Sequence, residues 1–170
     1  MSRENQPSAP SDPERRVGRM FRRFEGIPEK RRLEYYAPQY EGDEAWDDYV
    51  EHKAAERGGI AESTRRKRYG IARERLAEVC AERGRHYAVA RPDDVEAFFR
   101  IEAHLSDHVL RDRRFMPVYG FYEHLLNHVD HHHAYNPVLL AALEEGSETR
   151  RLWDIKEQHN DERAETRDKR

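Results

Sequence analysis

The residues best suited to chemistry form a run of cations that directly follows two hydroxyl residues. Residues 63–68 read STRRKR. Ser and Thr favour helix starts, where free backbone N–H groups bind anions, and guanidinium groups pair with phosphate oxygens. Cations at that end of a helix oppose its dipole, which a bound phosphate offsets. The run therefore predicts a phosphate-binding helix start. A solvated face paired with Glu74, Glu78 and Glu82 is the alternative.

The rotation of about 100° per residue along the helix that follows residues 63–64 determines where its cations point. At about 100° per residue, Arg66 and Arg73 lie on one flank of the apolar face, and Arg68 and Arg75 lie on the other. Lys67 points outward. Cations therefore border the buried face on both flanks.

Histidines are the second group that could do chemistry. His104 and His108 are four residues apart, as are His124 and His128, and residues 131–133 are all histidine. Imidazoles at this spacing on a helix can hold zinc, but a zinc hydrolase also needs Glu directly after the first His, and neither pair has it. We therefore expect no metal and no cofactor. Instead we expect a His-rich turn that titrates near neutral pH and favours phosphate binding as the pH falls.

Motifs and composition limit the class of protein. The chain has no G-x-x-x-x-G-K-[ST], G-x-G-x-x-G or G-x-S-x-G motif, so no enzyme activity is expected. It has 170 residues, a net charge of −3 and a mean hydropathy of −1.15. No apolar run suits a membrane span or a signal peptide, and the single cysteine, Cys80, excludes an internal disulfide. We expect a cytoplasmic protein with no membrane partner.

The elements that must position these residues are predicted to be helices. Residues 1–42 are expected to form a flexible leader, in which residues 14–24 make a basic amphipathic helix and a linker with a tyrosine cluster follows. Residues 43–145 are expected to form an all-α bundle of four or five helices. Residues 146–170 are expected to form a charged terminal helix or tail that frays, because it has few large apolar residues.

Capping and turn residues predict where these helices begin and end. Pro117 is expected to kink or split the fourth helix, and Val129 is a candidate core residue. The predicted starts are Asp43, Ser63 or Thr64, Pro92, Ser106 and Asn136–Pro137, and the predicted ends are Gly58–Gly59, Gly84 and Gly146.

Several short motifs, in order, resemble the SAM-like core-binding domain of tyrosine recombinases, the phage integrase family. A helix opened by Ser or Thr, an acidic helix start, a helix with an aromatic pair and a closing Asn–Pro occur across about residues 43–140. The positions that carry the resemblance are Thr64, Tyr69, Asp94, Val95, Phe98, Phe121, Tyr122, Leu125 and Asn136–Pro137.

The resemblance implies a domain that grips double-stranded DNA through cations and hydroxyl groups at helix ends. Phosphate contacts would supply most of the affinity. The implied binding residues are Thr64, Arg65, Arg66, Lys67 and Arg68 with Arg73 and Arg75, and, at the start of the fourth helix, Ser106, Arg111, Arg113 and Arg114.

The sequence departs from the family because only about thirty residues follow Asn136–Pro137, where the catalytic half would begin. His108 and Arg111 with Tyr135 match part of the family's catalytic set, but we attribute the match to chance because it falls inside the core-binding region. We therefore expect DNA binding without cleavage, in an accessory or regulator of recombination and integration. A recombinase or a second copy of the chain is a further candidate partner.

Two other functions remain open. A helical protein-interaction module would dock the stripe Val17, Met20, Phe21 and Phe24 on a partner and would not bind nucleic acid. A metal-dependent hydrolase would use the histidines.

Overall fold

The computed structural model describes Pro13, residues 21–42 and residues 44–169, and its regular elements in these ranges are all helical. Helix α1 is Ala45–Glu56. Helix α2 runs without a break through Glu62–Thr64, the π-helical turn Arg65–Gly70 and Ile71–Glu82. Helix α3 is Pro92–Glu102. Helix α4 runs through Asp107–Leu110, the π-helical turn Arg111–Phe115 and Met116–Asn127. Helix α5 is Pro137–Ala142 and α6 is Glu148–Asp168. Short 3-10 segments are Phe24–Gly26, Glu29–Arg31, Leu33–Tyr40 and Tyr87–Val89.

The capping residues set most helix ends as predicted. Ser106 caps α4 by accepting a hydrogen bond from the N–H of Val109, and Asn136 caps α5 in the same way from Val138. Gly84 has φ of +78°, the left-handed conformation that ends α2 at the predicted place. Pro92 is the first residue of α3, which confirms that start.

The predicted start of α2 is wrong. The helix begins at Glu62, and Ala61 is its capping residue, so Ser63 and Thr64 lie inside the first turn. The negative charge of Glu62 lies at the N-terminal end of α2, where it stabilises the helix dipole. Asp43, the predicted cap of α1, lies outside the described residues.

Pro117 does not split α4. Helical backbone continues from Leu110 through Met116, with φ near −60° at both ends of the π-helical turn Arg111–Phe115. Proline has no N–H to donate to the residue four positions earlier. The wider turn directly before Pro117 changes the hydrogen-bond register at that point, so the helix passes the proline without breaking.

Helix α4 lies at the centre of the core. Its Phe121 packs on Trp46 of α1 with ring centres 4.8 Å apart. Its Tyr119 meets Trp153 of α6 edge-on at 5.8 Å. Cys80 of α2 is fully buried, and burial raises the pKa of its thiol to about 12, so it serves as a small core residue.

Residues 25–42 are not a linker. Ile27, Leu33 and Tyr40 are almost completely buried in the bundle core. The N–H of Leu33 donates to the Tyr135 hydroxyl at 3.1 Å, and Arg91 grips the Glu34 carboxylate with two hydrogen bonds. The 3-10 segment therefore belongs to the domain. The apolar periodicity rules could not find it, because they are written for α-helices.

The start of the C-terminal segment also belongs to the core. Leu152 and Trp153 of α6 are fully buried, which contradicts the expected lack of a core-facing side. The Glu96 carboxylate of α3 accepts hydrogen bonds from the N–H groups of Glu148 and Thr149 at the start of α6. The domain thus extends beyond the predicted boundary at 145.

Val129 is 95 % exposed and is not a core residue. It lies in the turn after α4, where no helix directs it inward. Across the described ranges, no helix is both long and apolar enough to cross a membrane.

Candidate nucleic-acid interface

Two arginine-rich π-helical turns pack side by side at one end of the bundle. Arg65–Gly70 of α2 reads RRKRYG, and Arg111–Phe115 of α4 reads RDRRF. These two turns contact each other directly. The structure therefore brings the two basic groups of the sequence analysis to one surface.

Some of the predicted cations are used inside the molecule. Arg114 is buried, and its Nε donates to the buried Glu102 carboxylate at 2.6 Å. Arg65 forms an ion pair with Glu51 of α1. Arg111 donates to the Asp112 carboxylate at 2.8 Å. Arg114 is therefore wrong as a contact residue, because its side chain holds α4 to α3 and does not reach the surface.

Arg66, Lys67 and Arg113 are exposed. Arg68 beside them is partly buried, with its guanidinium 5.7 Å from the Tyr69 ring centre. None of these four side chains forms an ion pair within the described ranges. We call Arg66, Lys67, Arg68 and Arg113 the basic surface.

The packing of the two turns has an electrostatic consequence for Asp112. Burial raises the pKa of Asp112, but the hydrogen bond from Arg111 and the charges of Arg111, His108 and Arg68 outweigh burial and lower it. Arg68 belongs to α2 and Asp112 to α4. The positive charge of α2 therefore reaches the surface of α4.

The other predicted residues lie on the flanks of α2 and at the start of α4. Arg66 and Arg73 line the groove against α1, which is the flank the sequence predicts for them. Arg75 lies on the opposite flank, 4.0 Å from Glu102 and 3.6 Å from Glu78. Thr64 and Ser106 are both exposed, and Ser106 already accepts the capping hydrogen bond of α4.

A groove of about 450 Å³ continues from the basic surface between α1, α2 and α4. Lys53 of α1 and Arg57, the residue after α1, line it together with Arg68. Sequence reasoning missed these two cations because each stands apart from other basic residues, beside acidic ones. Only the contact of α1 with α4 places them beside the basic run.

Histidines occupy the far end of the same groove. His52 of α1 and His124 of α4 have ring centres 5.1 Å apart. Burial and the charges of neighbouring groups, first His52, lower the pKa of His124 to about 4. Burial likewise lowers the pKa of His133 to about 4. These two histidines therefore stay neutral near pH 7, contrary to the expectation for the His-rich turn.

The metal hypothesis gains no support from this cluster. Across residues 21–42 and 44–169, no three His, Cys, Asp or Glu side chains are placed to hold one metal ion. The partial match to a recombinase catalytic set is also not assembled as a site, because Tyr135 is 4 % exposed and hydrogen-bonds to Leu33 in the core.

The protein-interaction hypothesis loses part of its docking stripe. Phe21 and Phe24 pack against the core of their own domain, and Phe21 meets the Tyr135 ring at 6.2 Å. Residues 21–23 are not helical, so the predicted amphipathic helix does not reach Phe24. Val17 and Met20 lie outside the described residues.

The fold and the site define the class of the molecule as an all-α bundle with a basic surface at one end. Comparison with family models, curated proteins and solved structures finds no match to this chain.

Proposed function

We propose that this protein binds double-stranded DNA without cleaving it, through the phosphate backbone and the basic surface of α2 and α4. The observation that carries the proposal is the packing of two arginine-rich π-helical turns that present Arg66, Lys67 and Arg113 to solvent. A role as an accessory or regulator of recombination follows from the resemblance to integrase core-binding domains.

Charge and geometry support a polyanionic ligand. Exposed cations without carboxylate partners keep their full charge for an incoming phosphate. π-Helical turns are uncommon and occur frequently at functional sites, and here two of them adjoin. A backbone-binding mode is favoured because the exposed cations lie on a bundle surface, where they can follow a line of phosphates.

The experiment compares wild type with the triple variant Arg66→Ala, Lys67→Ala, Arg113→Ala. Binding to short duplex DNA is measured by fluorescence anisotropy between about 50 and 200 mM NaCl, where phosphate contacts show the steepest salt dependence. We expect the slope of log K against log salt to become shallower by about 0.9 for each phosphate that the variant no longer neutralises.

A matched control removes three cations elsewhere. Arg163 and Arg167 lie in the exposed half of α6 and Lys169 directly follows it, so changing all three to Ala alters net charge equally. If both variants weaken binding equally, net charge and not the basic surface holds DNA. If wild type does not bind duplex DNA at about 50 mM NaCl, where non-specific binding is strong, the proposal is wrong.

A further inference from the structure

The loop between α4 and α5 is joined to the core by a chain of hydrogen bonds. His133 is buried, with its Nε2 2.7 Å from the carbonyl oxygen of Ala88 and its Nδ1 3.3 Å from the Tyr40 hydroxyl. The same hydroxyl is 2.8 Å from Nδ1 of His131. The chain therefore links two imidazoles of the loop through one tyrosine.

The chemistry of these groups fixes the direction of each bond. A carbonyl oxygen can only accept, so Nε2 of neutral His133 carries the proton and donates to Ala88. Nδ1 of His133 must then accept from the Tyr40 hydroxyl. Because this uses the single hydroxyl proton, Nδ1 of His131 carries its own proton and donates to the Tyr40 oxygen.

A line of imidazoles continues from this chain to α1. The ring centres of His131 and His128 are 5.5 Å apart, those of His128 and His124 are 5.1 Å apart, and those of His124 and His52 are 5.1 Å apart. A proton on one ring opposes a proton on the next at these separations. Burial and the neighbouring rings, first His52, therefore disfavour a proton on His124.

Charged groups face the line from every side. From α1, Glu56 lies 3.2 Å from Nε2 of His52, and the positive charge of Lys53 acts on His124. Within the loop, Asp130 lies 3.6 Å from Nδ1 of His128. The titratable groups on the core side are Tyr36, which stacks on His132, and His86, whose ring centre is 6.2 Å from that of Tyr40.

The carboxylates near the line face His52 and His128. No ion pair within the described ranges joins a carboxylate to His124 or His133. Burial, and for His124 the charges of its neighbours, lower the pKa of each to about 4. Since an exposed imidazole has a pKa near 6.5, His133 would take up a proton between about pH 6.5 and 4 if the loop opened. His124 belongs to α4 and keeps its contact with His52 of α1.

Side chains hold the loop in place. Besides the His131–Tyr40–His133 chain, the Gln39 amide donates to the Asp130 carbonyl at 3.2 Å, and the His132 ring stacks on Tyr36 at 4.7 Å. A connection made by side chains can open while the helices on either side keep their own backbone hydrogen bonds.

We propose that residues 128–133 form an acid-opened clasp over Tyr40: protonation of His133 disrupts the His131–Tyr40–His133 chain and releases the loop, while the helical bundle stays folded. A protonated His133 has two donors, so it can no longer accept from Tyr40, and the whole chain must reverse or break. Release uncovers Tyr40, which is fully buried in the closed form. The clasp does not depend on DNA binding.

The experiment uses the full chain and two readouts between pH 7.5 and 4. Nitrogen NMR of the histidine rings at pH 7.5 should find His133 protonated at Nε2 and His131 at Nδ1. Hydrogen exchange of residues 128–133, corrected for the intrinsic effect of pH, should then accelerate by up to about 300-fold, because the pKa of His133 rises from about 4 to 6.5 on opening. Far-UV circular dichroism should not change over the range in which the loop opens.

Two variants separate the clasp from general acid sensitivity. His133→Gln keeps a donor for the Ala88 carbonyl but cannot titrate, so the loop should lose this acid-dependent acceleration of hydrogen exchange. His159→Gln, on the exposed half of α6, should behave as wild type. Constant loop protection down to pH 4, loss of protection together with helicity, or a His133 ring protonated at Nδ1 at pH 7.5 would each overturn the proposal, even if His133→Gln does not fold.

Discussion

Asp94 shows how a single buried charge organises several segments. Its carboxylate is completely buried and accepts hydrogen bonds from Arg83, from Arg85 and from the N–H of Arg91. Burial raises its pKa, but these hydrogen bonds, first that of Arg85, outweigh burial and hold the pKa below its usual range. One side chain thus fixes the end of α2 and the start of α3.

We expect Asp94→Asn to destabilise the fold by about 3–5 kcal/mol, because it removes one partner of a buried ionic network. The folded-state pKa is depressed, so this stability is present above the unfolded pKa near 4 and is lost as the pH falls through the folded value. Urea unfolding at pH 7 and at lower pH should show the gap between wild type and variant narrowing in acid.

Asp93→Asn is the matched control for that measurement. Asp93 is the neighbouring carboxylate in the first turn of α3, but it is exposed. Its loss should cost at most about 1 kcal/mol, the size of a helix-dipole effect. An equal effect of the two variants would show that the buried network contributes nothing specific.

At the residue scale, the sequence predicts which apolar and acidic positions are buried better than it predicts which cations are exposed. Of the positions that carry the resemblance, Tyr69, Asp94, Val95 and Phe98 are buried, so packing and hydrogen bonding account for their residue types. The cations were harder to assign, because the sequence does not distinguish the buried Arg114 from the exposed Arg113 beside it. The difference arises from Glu102, which belongs to another helix and meets Arg114 only in the fold.

At the scale of elements, a glycine sets how closely α1 and α4 approach. A Cβ atom on Gly120 of α4 would lie 2.5 Å from the hydroxyl of Tyr49 on α1. Tyr49 is 1 % exposed and packs edge-on against Trp46, so the ring has little room to move. The two helices can therefore meet at this point only if residue 120 has no side chain.

We expect Gly120→Ala to destabilise the protein by about 1–3 kcal/mol, the usual cost of overpacking, although alanine favours helices. Gly70→Ala is the control, because its Cβ would make only an ordinary contact of 3.6 Å within α2. That change should be neutral or stabilise by up to about 1 kcal/mol. Urea unfolding of both variants measures the two changes in the free energy of unfolding.

The double variant Gly120→Ala, Tyr49→Phe identifies the cause. Once the hydroxyl is removed, the nearest atom to the alanine Cβ is the ring carbon Cζ of residue 49, at 3.4 Å, which is an ordinary contact. Stability should therefore recover relative to Gly120→Ala. If it does not, the close approach of Tyr49 is not what the alanine disturbs.

The elements also show which local signals the sequence carries reliably. Ser106, Pro92 and Gly84 act within one helical turn, and each marks the boundary that it predicts. The 3-10 segment Leu33–Tyr40 depends on contacts made far along the chain, such as the hydrogen bond of Leu33 with Tyr135. Local rules therefore predict the helices but not this departure from them.

For the whole molecule, the boundary of the domain lies within α6 and not before it. Trp153 is fully buried between the Tyr119 ring and the Lys156 side chain, whose Nζ lies 4.0 Å from the indole centre. Arg151 also joins α6 to the start of α4 through Asp107 at 2.8 Å. Beyond Gln158 the helix is exposed almost throughout. The overall composition of residues 146–170 does not predict this boundary, because the few large apolar residues all lie within positions 152–155.

We expect Trp153→Ala to cost about 3–5 kcal/mol, as for other buried aromatic residues, whereas deletion of residues 158–170 should change stability by less than about 1 kcal/mol. Urea unfolding followed by circular dichroism measures both, and the remaining Trp46 reports the core by fluorescence. The truncated protein should keep duplex DNA binding, because the basic surface lies on α2 and α4. If deletion destabilises the protein as much as Trp153→Ala does, the outer half of α6 contributes to the fold through contacts beyond those of its first turns.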